Sequence, residues 1–136
     1  MKIVTDKRVA DLVSSVCGCQ FLPPYTCMGV EDETTGEVIA GVVFNCFDAK
    51  DIHVTVAGSV WTKSFMQEVG KYVFWHLSCE RITVTTYHPK VVDFALRLGG
   101  QIEGQLRNYY GKGLDAALIG ILAEDYVPLK RLKKQN

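Results

Sequence analysis

The 136-residue chain has no excess charge of either sign, because fifteen Lys and Arg residues offset fifteen Asp and Glu residues. A domain built mainly to hold a phosphate backbone normally has a basic surface, so the composition argues against nucleic acid as the main partner. No uninterrupted apolar run reaches the roughly 18 residues of a membrane span. Residues 1–8 contain no signal-peptide core, so we expect a cytoplasmic protein with no membrane partner.

The five cysteines are an odd number and have no secretory context. We therefore expect reduced thiols rather than a disulfide framework. Cys17, Cys19 and Cys27 are close in sequence, but their spacing matches none of the strong zinc patterns and no histidine lies nearby. The sequence therefore predicts no metal site, and we expect Cys46 and Cys79 in the core.

Hydrophobic residues make up 48% of the chain and charged residues 22%, an ordinary balance for a globular protein. The length fits one domain, residues 1–136. The chain ends in a basic segment, about residues 128–136, which includes Lys130, Arg131, Lys133 and Lys134. Such a segment is usually solvated, and the alternative is a weak contact with nucleic acid or an acidic partner.

The spacing of apolar residues predicts three helices and about six strands. The helices are predicted at about residues 6–17, 62–77 and 89–98, and the strands at about residues 28–31, 38–47, 51–57, 81–86, 101–110 and 116–123. This order predicts an α/β fold, a mixed central sheet with helices on both faces. The strands at 51–57 and 81–86 should be parallel, joined by a helical crossover. His76 lies on the apolar face of the second predicted helix, and we expect it to be buried.

The C-terminal third of the chain resembles a known family. The matching residues are Val91-Val92-Asp93-Phe94-Ala95-Leu96-Arg97-Leu98-Gly99-Gly100-Gln101-Ile102-Glu103-Gly104-Gln105-Leu106-Arg107, Gly113-Leu114-Asp115 and Ile119-Gly120-Ile121-Leu122. This series is similar to the ending of the GNAT acetyltransferase superfamily, in its ribosomal-protein alanine acetyltransferase branch. Residues 39–44 and 73–83 also resemble short GNAT-like proteins of tailed phages and proteobacteria. The resemblance covers about residues 8–124 and implies an N-terminally trimmed GNAT-like fold.

The resemblance implies an acetyl-CoA-dependent N-acetyltransferase in which a primary amine attacks the thioester directly. In the family, one strand edge pairs with the pantetheine, and a helix N-terminus holds the pyrophosphate. Loops at residues 20–27 and 108–113 would then face the acceptor, although a plain hairpin explains the second loop equally well. The cofactor-binding residues implied are Val54, Thr55, Val56, Gly58, Ser59, Trp61, Thr62, Lys63, Ser64 and His88.

His53 is the best candidate for the base, since it lies on the strand that carries the base in many family members and histidine titrates near neutral pH. A structural sheet histidine is the alternative, and Asp51 is the second choice. Tyr87 is the candidate acid for the departing thiolate, with a packing aromatic as its alternative. The resemblance is also compatible with a homodimer.

Several positions depart from the family pattern. Residues 57–64 lack the family's glycine pattern, the usual tyrosine acid falls on Ala95, and the phenylalanine of a Leu-Gly-Phe motif is Gly100. These departures motivate the alternative that the protein has the fold but no catalysis. It would then be a binding or structural protein, for example in a phage particle, or an acyl-CoA-binding regulator.

Overall fold

The computed structural model describes residues 1–132, and Lys133 and Lys134 of the predicted basic segment lie outside the described residues. Its centre is a seven-stranded mixed sheet in the order β1-β2-β3-β4-β5-β7-β6. All neighbouring strands are antiparallel except β4 and β5, which are parallel as predicted. The strands are β1 Lys2–Val4, β2 Tyr25–Glu31, β3 Val38–Asp48, β4 Asp51–Gly58, β5 Arg81–Thr86, β6 Gln101–Leu106 and β7 Ala116–Leu122.

The sheet has one strand more than the six we predicted. The additional strand is β1, whose three residues are too few to show an alternating pattern. β2 also begins earlier than predicted, at Tyr25. β6 ends at Leu106 and not at residue 110, because residues 107–110 form a turn.

The first helix, α1 Lys7–Cys17, begins and ends where its capping residues predict. The Asp6 side chain accepts a hydrogen bond from Arg8 N (3.0 Å), and Gly18 adopts the left-handed conformation (φ 66°). The buried residues Ala10 and Val13 pack against Val43 and Ala57. α1 therefore covers one face of the sheet.

The other face carries α2 Lys63–Gly70, the π-helical segment Lys71–His76 that continues it, and α3 Pro89–Arg97. Val42 and Val54 pack into this larger core with residues of α2 and α3, whereas Val43, the neighbour of Val42, packs under α1. Because successive strand residues point to opposite faces, both faces are covered. The predicted mixed α/β sheet with helices on both faces is confirmed.

Two residues expected in the core are exposed. His76 stacks on Tyr72 (ring centroids 5.6 Å apart) at the surface, because the π-helical segment adds residues per turn and rotates the helix end away from the core. Cys46 is exposed where β3 shifts register between Asn45 and Asp48, and its own φ is 53°. Cys79 is buried, as predicted.

Among residues 1–132, no helix combines the length and the apolar character that crossing a membrane requires.

Candidate functional site

The parallel strands β4 and β5 separate in the middle of the sheet. They pair only at Asp51–Arg81, Ile52–Ile82 and His53–Thr83. Beyond this point β4 remains paired with β3 as far as Gly58, and β5 remains paired with β7 as far as Thr86. The facing edges of the two strands thus diverge, and the peptide groups that follow His53 border a cleft.

Two adjoining cavities follow this cleft. The apex cavity, about 320 Å³, surrounds His53 and the ends of β4 and β5. The outer cavity, about 860 Å³, is lined by Gly58, Ser59 and Trp61 on one side and by the start of α3 on the other. Both are lined by Cys17, Val56, His88 and Val91, so they form one continuous cleft.

His53 lies at the apex because of the alternation along β4. Ile52 and Val54 are buried in the core, so the side chain between them points to the opposite side and stays 37% exposed. His53 Nε2 is 3.6 Å from Asp51 Oδ2. The other Asp51 oxygen accepts a hydrogen bond from Thr83 Oγ1 (2.6 Å), which orients the carboxylate towards the imidazole.

A row of charges continues from Asp51 across the sheet. Arg81 Nε is 3.3 Å from Asp51 Oδ1, and Arg81 Nη2 is 2.8 Å from Glu103 Oε1. The hydrogen bond that Arg81 donates to Glu103 raises the pKa of the Arg81 guanidinium. Gly120 makes room for this pair on β7, since a Cβ there would lie 2.6 Å from Arg81 Nη2. The sequence analysis missed this row, although Glu103 and Gly120 both belong to the motif that carries the resemblance.

Aromatic side chains form one wall of the apex cavity. The Tyr87 ring lies 4.1 Å from the His88 ring and 5.0 Å from the Tyr110 ring, and Tyr109 lies 4.8 Å from Tyr110. Tyr110 Oη donates to Thr85 O (2.8 Å), and burial raises the pKa of Tyr110. Tyr87, the candidate acid, is therefore a half-exposed member of an aromatic cluster at the cavity wall.

The segment between β4 and α2 follows the outer cavity. Gly58 has φ 117°, and a Cβ there would overlap the backbone of β3, so the position needs glycine. Trp61 Nε1 donates to Gly58 O (3.2 Å), and its ring packs 5.4 Å from Phe94. Thr62 caps α2, because its Oγ1 accepts from Phe65 N (3.2 Å).

The structure groups most of the residues singled out from the sequence. His53, Val54, Thr55, Val56, Tyr87 and His88 line the apex cavity, and Gly58, Ser59 and Trp61 line the outer one. Thr62, Lys63 and Ser64 are exposed at the start of α2 and line neither cavity. The cations that do line the outer cavity are Lys90 and Arg97 of α3, which the sequence analysis did not single out.

The cysteines near the cleft are free thiols. Cys17 Sγ lies 3.8 Å from Val56 O, and burial raises the pKa of the Cys17 thiol. Within residues 1–132, no three His, Cys, Asp or Glu side chains come together as a metal site would require.

Solved structures of known proteins share this fold. A form of the spermidine/spermine N-acetyltransferase SpeG of Vibrio cholerae shares 14% identity with this chain, with 96% of this chain and 99% of the other covered and a TM-score of 0.75. Vibrio cholerae spermidine N-acetyltransferase in complex with CoA and spermine shares 18% identity, with coverage of 77% and 69% and a TM-score of 0.65. The chain has the GNAT fold.

At these identities the common feature is the fold, and the predicted resemblance to the GNAT superfamily is confirmed at that level. No family model matches the sequence, and no curated protein matches it. Both of these structures come from Vibrio cholerae, and they lend no support to the resemblance to phage proteins.

Proposed function

We propose that this GNAT-fold protein is an N-acetyltransferase that transfers the acetyl group of acetyl-CoA to a primary amine. The observation that carries the proposal is the continuous cleft between β4 and β5, with a histidine–aspartate pair at its apex and two cations at its outer end. A thioester substrate with a long amide-bearing arm and a charged diphosphate requires these features in this order.

The pantetheine arm fits the free edge of β4. Beyond His53 the residues Val54, Thr55 and Val56 line the cleft and have no β5 partner. An amide-bearing chain can add to such an edge as an extra strand. The same edge supplies a backbone N–H that can stabilise the oxyanion of the tetrahedral intermediate.

The diphosphate fits the outer cavity. Lys90 and Arg97 line it, together with Pro89 and Val91 of the first turn of α3. N–H groups in a first helical turn lack intrahelical partners and attract anions. Arg97 is paired with Asp93 (3.2 Å), but both side chains are 70% exposed, so the pair is weak and the guanidinium can turn to a phosphate.

In the reaction, the amine nitrogen attacks the thioester carbonyl carbon, and His53 accepts the proton that the nitrogen loses. Asp51 orients the imidazole and stabilises its protonated form, in the way a carboxylate supports a catalytic histidine. The tetrahedral intermediate then collapses, the C–S bond breaks, and the CoA thiolate takes a proton from Tyr87 or from solvent. The products are an N-acetyl amine and free CoA.

The similar structure that holds CoA and spermine supports the class of both substrates, a CoA thioester and an amine. It does not carry over the identity of the acceptor, because the two chains are only 18% identical.

Calorimetric titration with acetyl-CoA tests the cofactor. We expect saturable one-to-one binding, and Lys90→Gln should weaken it about fivefold, the effect of roughly 1 kcal/mol from one charged phosphate contact. Lys7→Gln removes a lysine on α1 outside the cleft and should leave the affinity unchanged. Absence of saturable binding at millimolar acetyl-CoA would overturn the proposal and favour a binding protein that has lost catalysis.

His53→Gln tests the base. Glutamine keeps a polar side chain of similar size but cannot accept the proton, so kcat should fall by roughly 10²- to 10⁴-fold while the Kd for acetyl-CoA stays the same. An unchanged rate across the whole pH range would show that His53 is a structural histidine.

A further inference from the structure

We propose that the acceptor is a primary amine attached to an aromatic ring through a short chain, and that the protein selects against polyamines. The inference rests on the proposed function and names the acceptor that the same cleft would accept. It is carried by the lining of the apex cavity, which is rich in aromatic side chains and poor in negative charge.

No Asp or Glu side chain lines the apex cavity in the described part of the chain. Asp51 contacts the lining residue His53, but its charge is already balanced by Arg81, and Thr83 donates a hydrogen bond to it. A polyamine keeps one or more ammonium groups charged while another amine reacts. Placing those groups in this cavity has a desolvation cost that no carboxylate of the lining offsets.

Aromatic rings make up much of the lining of the apex cavity. The lining includes Phe21 from the α1–β2 loop, Tyr87 at the end of β5, and Tyr109 and Tyr110 from the β6–β7 loop. Tyr87 and Tyr109 are 49% and 51% exposed, although they sit in a cavity wall. Grouped aromatic residues that remain exposed in a concave wall typically mark a ligand site, and their edge-to-face geometry accepts a further ring.

These rings lie on the acceptor side of the reacting centre. Phe21, Tyr109 and Tyr110 line the apex cavity together with His53, but they do not line the outer cavity, where the phosphates would bind. The volume of about 320 Å³ is at the small end for ligand sites. Such a space suits one ring on a short arm better than a long extended polyamine chain.

The experiment compares phenethylamine, propylamine and spermidine as acceptors, with CoA release as the readout. We expect kcat/KM for phenethylamine to exceed both others by about tenfold or more, the usual scale for one well-filled apolar subsite. Tyr109→Ala should raise the KM for phenethylamine several-fold without changing that for propylamine, and Tyr109→Phe should restore it. Phe47→Ala is the control, because Phe47 is 56% exposed and lines neither cavity of the cleft.

The outcomes separate this inference from the proposed function. Faster acetylation of spermidine than of phenethylamine would overturn the inference and keep the transferase. Equal values for phenethylamine and propylamine, unaffected by Tyr109→Ala, would also overturn it. If no amine is acetylated, calorimetry with phenethylamine on the CoA-loaded protein decides between two outcomes. Binding of phenethylamine would keep the aromatic site and overturn the transferase. Absence of binding would overturn the aromatic site and the transferase.

Discussion

Tyr126 offers the sharpest test of how the C-terminal segment holds the helical layer. Its side chain is 1% exposed, its ring lies 5.3 Å from the Phe74 ring, and its hydroxyl donates to Met66 O at 2.7 Å. A Cβ on Gly70 would overlap the Tyr126 ring, so the absence of a side chain at this position makes room for it. Tyr126→Phe removes the hydroxyl and leaves the packing of the ring in place.

At neutral pH the variant should lose the net stabilisation that one buried hydrogen bond contributes. We expect the free energy of unfolding to fall by about 1 kcal/mol, with a range of roughly 0.5 to 1.5 kcal/mol. The ring stays, so the loss should be far below the roughly 3 to 5 kcal/mol expected when a large buried side chain is truncated to alanine.

The difference between the two proteins should shrink in alkali. Burial raises the pKa of Tyr126 well above the value of about 10 that tyrosine has in an unfolded chain. Above pH 10 the unfolded wild type releases this proton while the folded state retains it. The wild type therefore loses up to roughly 1.4 kcal/mol per pH unit that the phenylalanine variant does not lose.

Urea unfolding at pH 7, 10 and 11 measures both effects, with Tyr109→Phe as a control at an exposed tyrosine. The stabilities of wild type and Tyr126→Phe should become equal about one pH unit above 10, since a gap of about 1 kcal/mol closes at the slope given above. A variant as stable as the wild type at pH 7, or a gap that stays constant up to pH 11, would refute the reasoning.

Three further changes test single features of the fold by thermal or urea melts. Gly58→Ala should lower the free energy of unfolding by about 2 to 4 kcal/mol, because backbone strain at φ 117° adds to the overlap of a Cβ with β3. This loss should exceed that of Gly36→Ala, where φ is 74° but the space around a Cβ is open. Asp6→Asn should lower the Tm at pH 7, since Arg8 holds the pKa of Asp6 at about 2. The stability that the Asp6 carboxylate contributes is present above about pH 4 and is lost as the pH falls towards 2. Equal melting temperatures of variant and wild type at pH 7 would contradict this. Gly120→Ala should displace the arginine–carboxylate pair that crosses β7 and destabilise the sheet, and a wild-type Tm would contradict that.

Most of the fold could be predicted because its elements carry clear periods. α1 shows both the helical spacing and its two caps, and β4 shows strict alternation, so their bounds agree with the structure to within a residue or two. The predictions that were wrong have local causes. A strand of three residues shows no period, a π-helical segment changes the period near His76, and a register shift in β3 exposes Cys46.

The cleft could be predicted only in part. The position of His53 at the apex follows from the alternation along one strand and from the family resemblance. The aromatic wall and the cations of the outer cavity could not be predicted, because Phe21, Tyr109, Lys90 and Arg97 come from separate segments that only the topology brings to one place. Asp51 is a second-choice base from the sequence, and its contacts with Thr83 and Arg81, which fix its orientation beside His53, depend on the register of β4 against β5.

The topology also explains why these separate segments meet. β4 stays paired with β3, and β5 stays paired with β7. Once the three-residue ladder between β4 and β5 ends, the twist between neighbouring strands rotates these two parallel strands apart. Since the strands are parallel, their carboxyl ends and the segments after them, residues 59–61 and 87–90, emerge on the same side of the opening. Open α/β sheets bind ligands at such carboxyl ends. The cleft therefore depends on β3 and β7 as much as on the residues that line it.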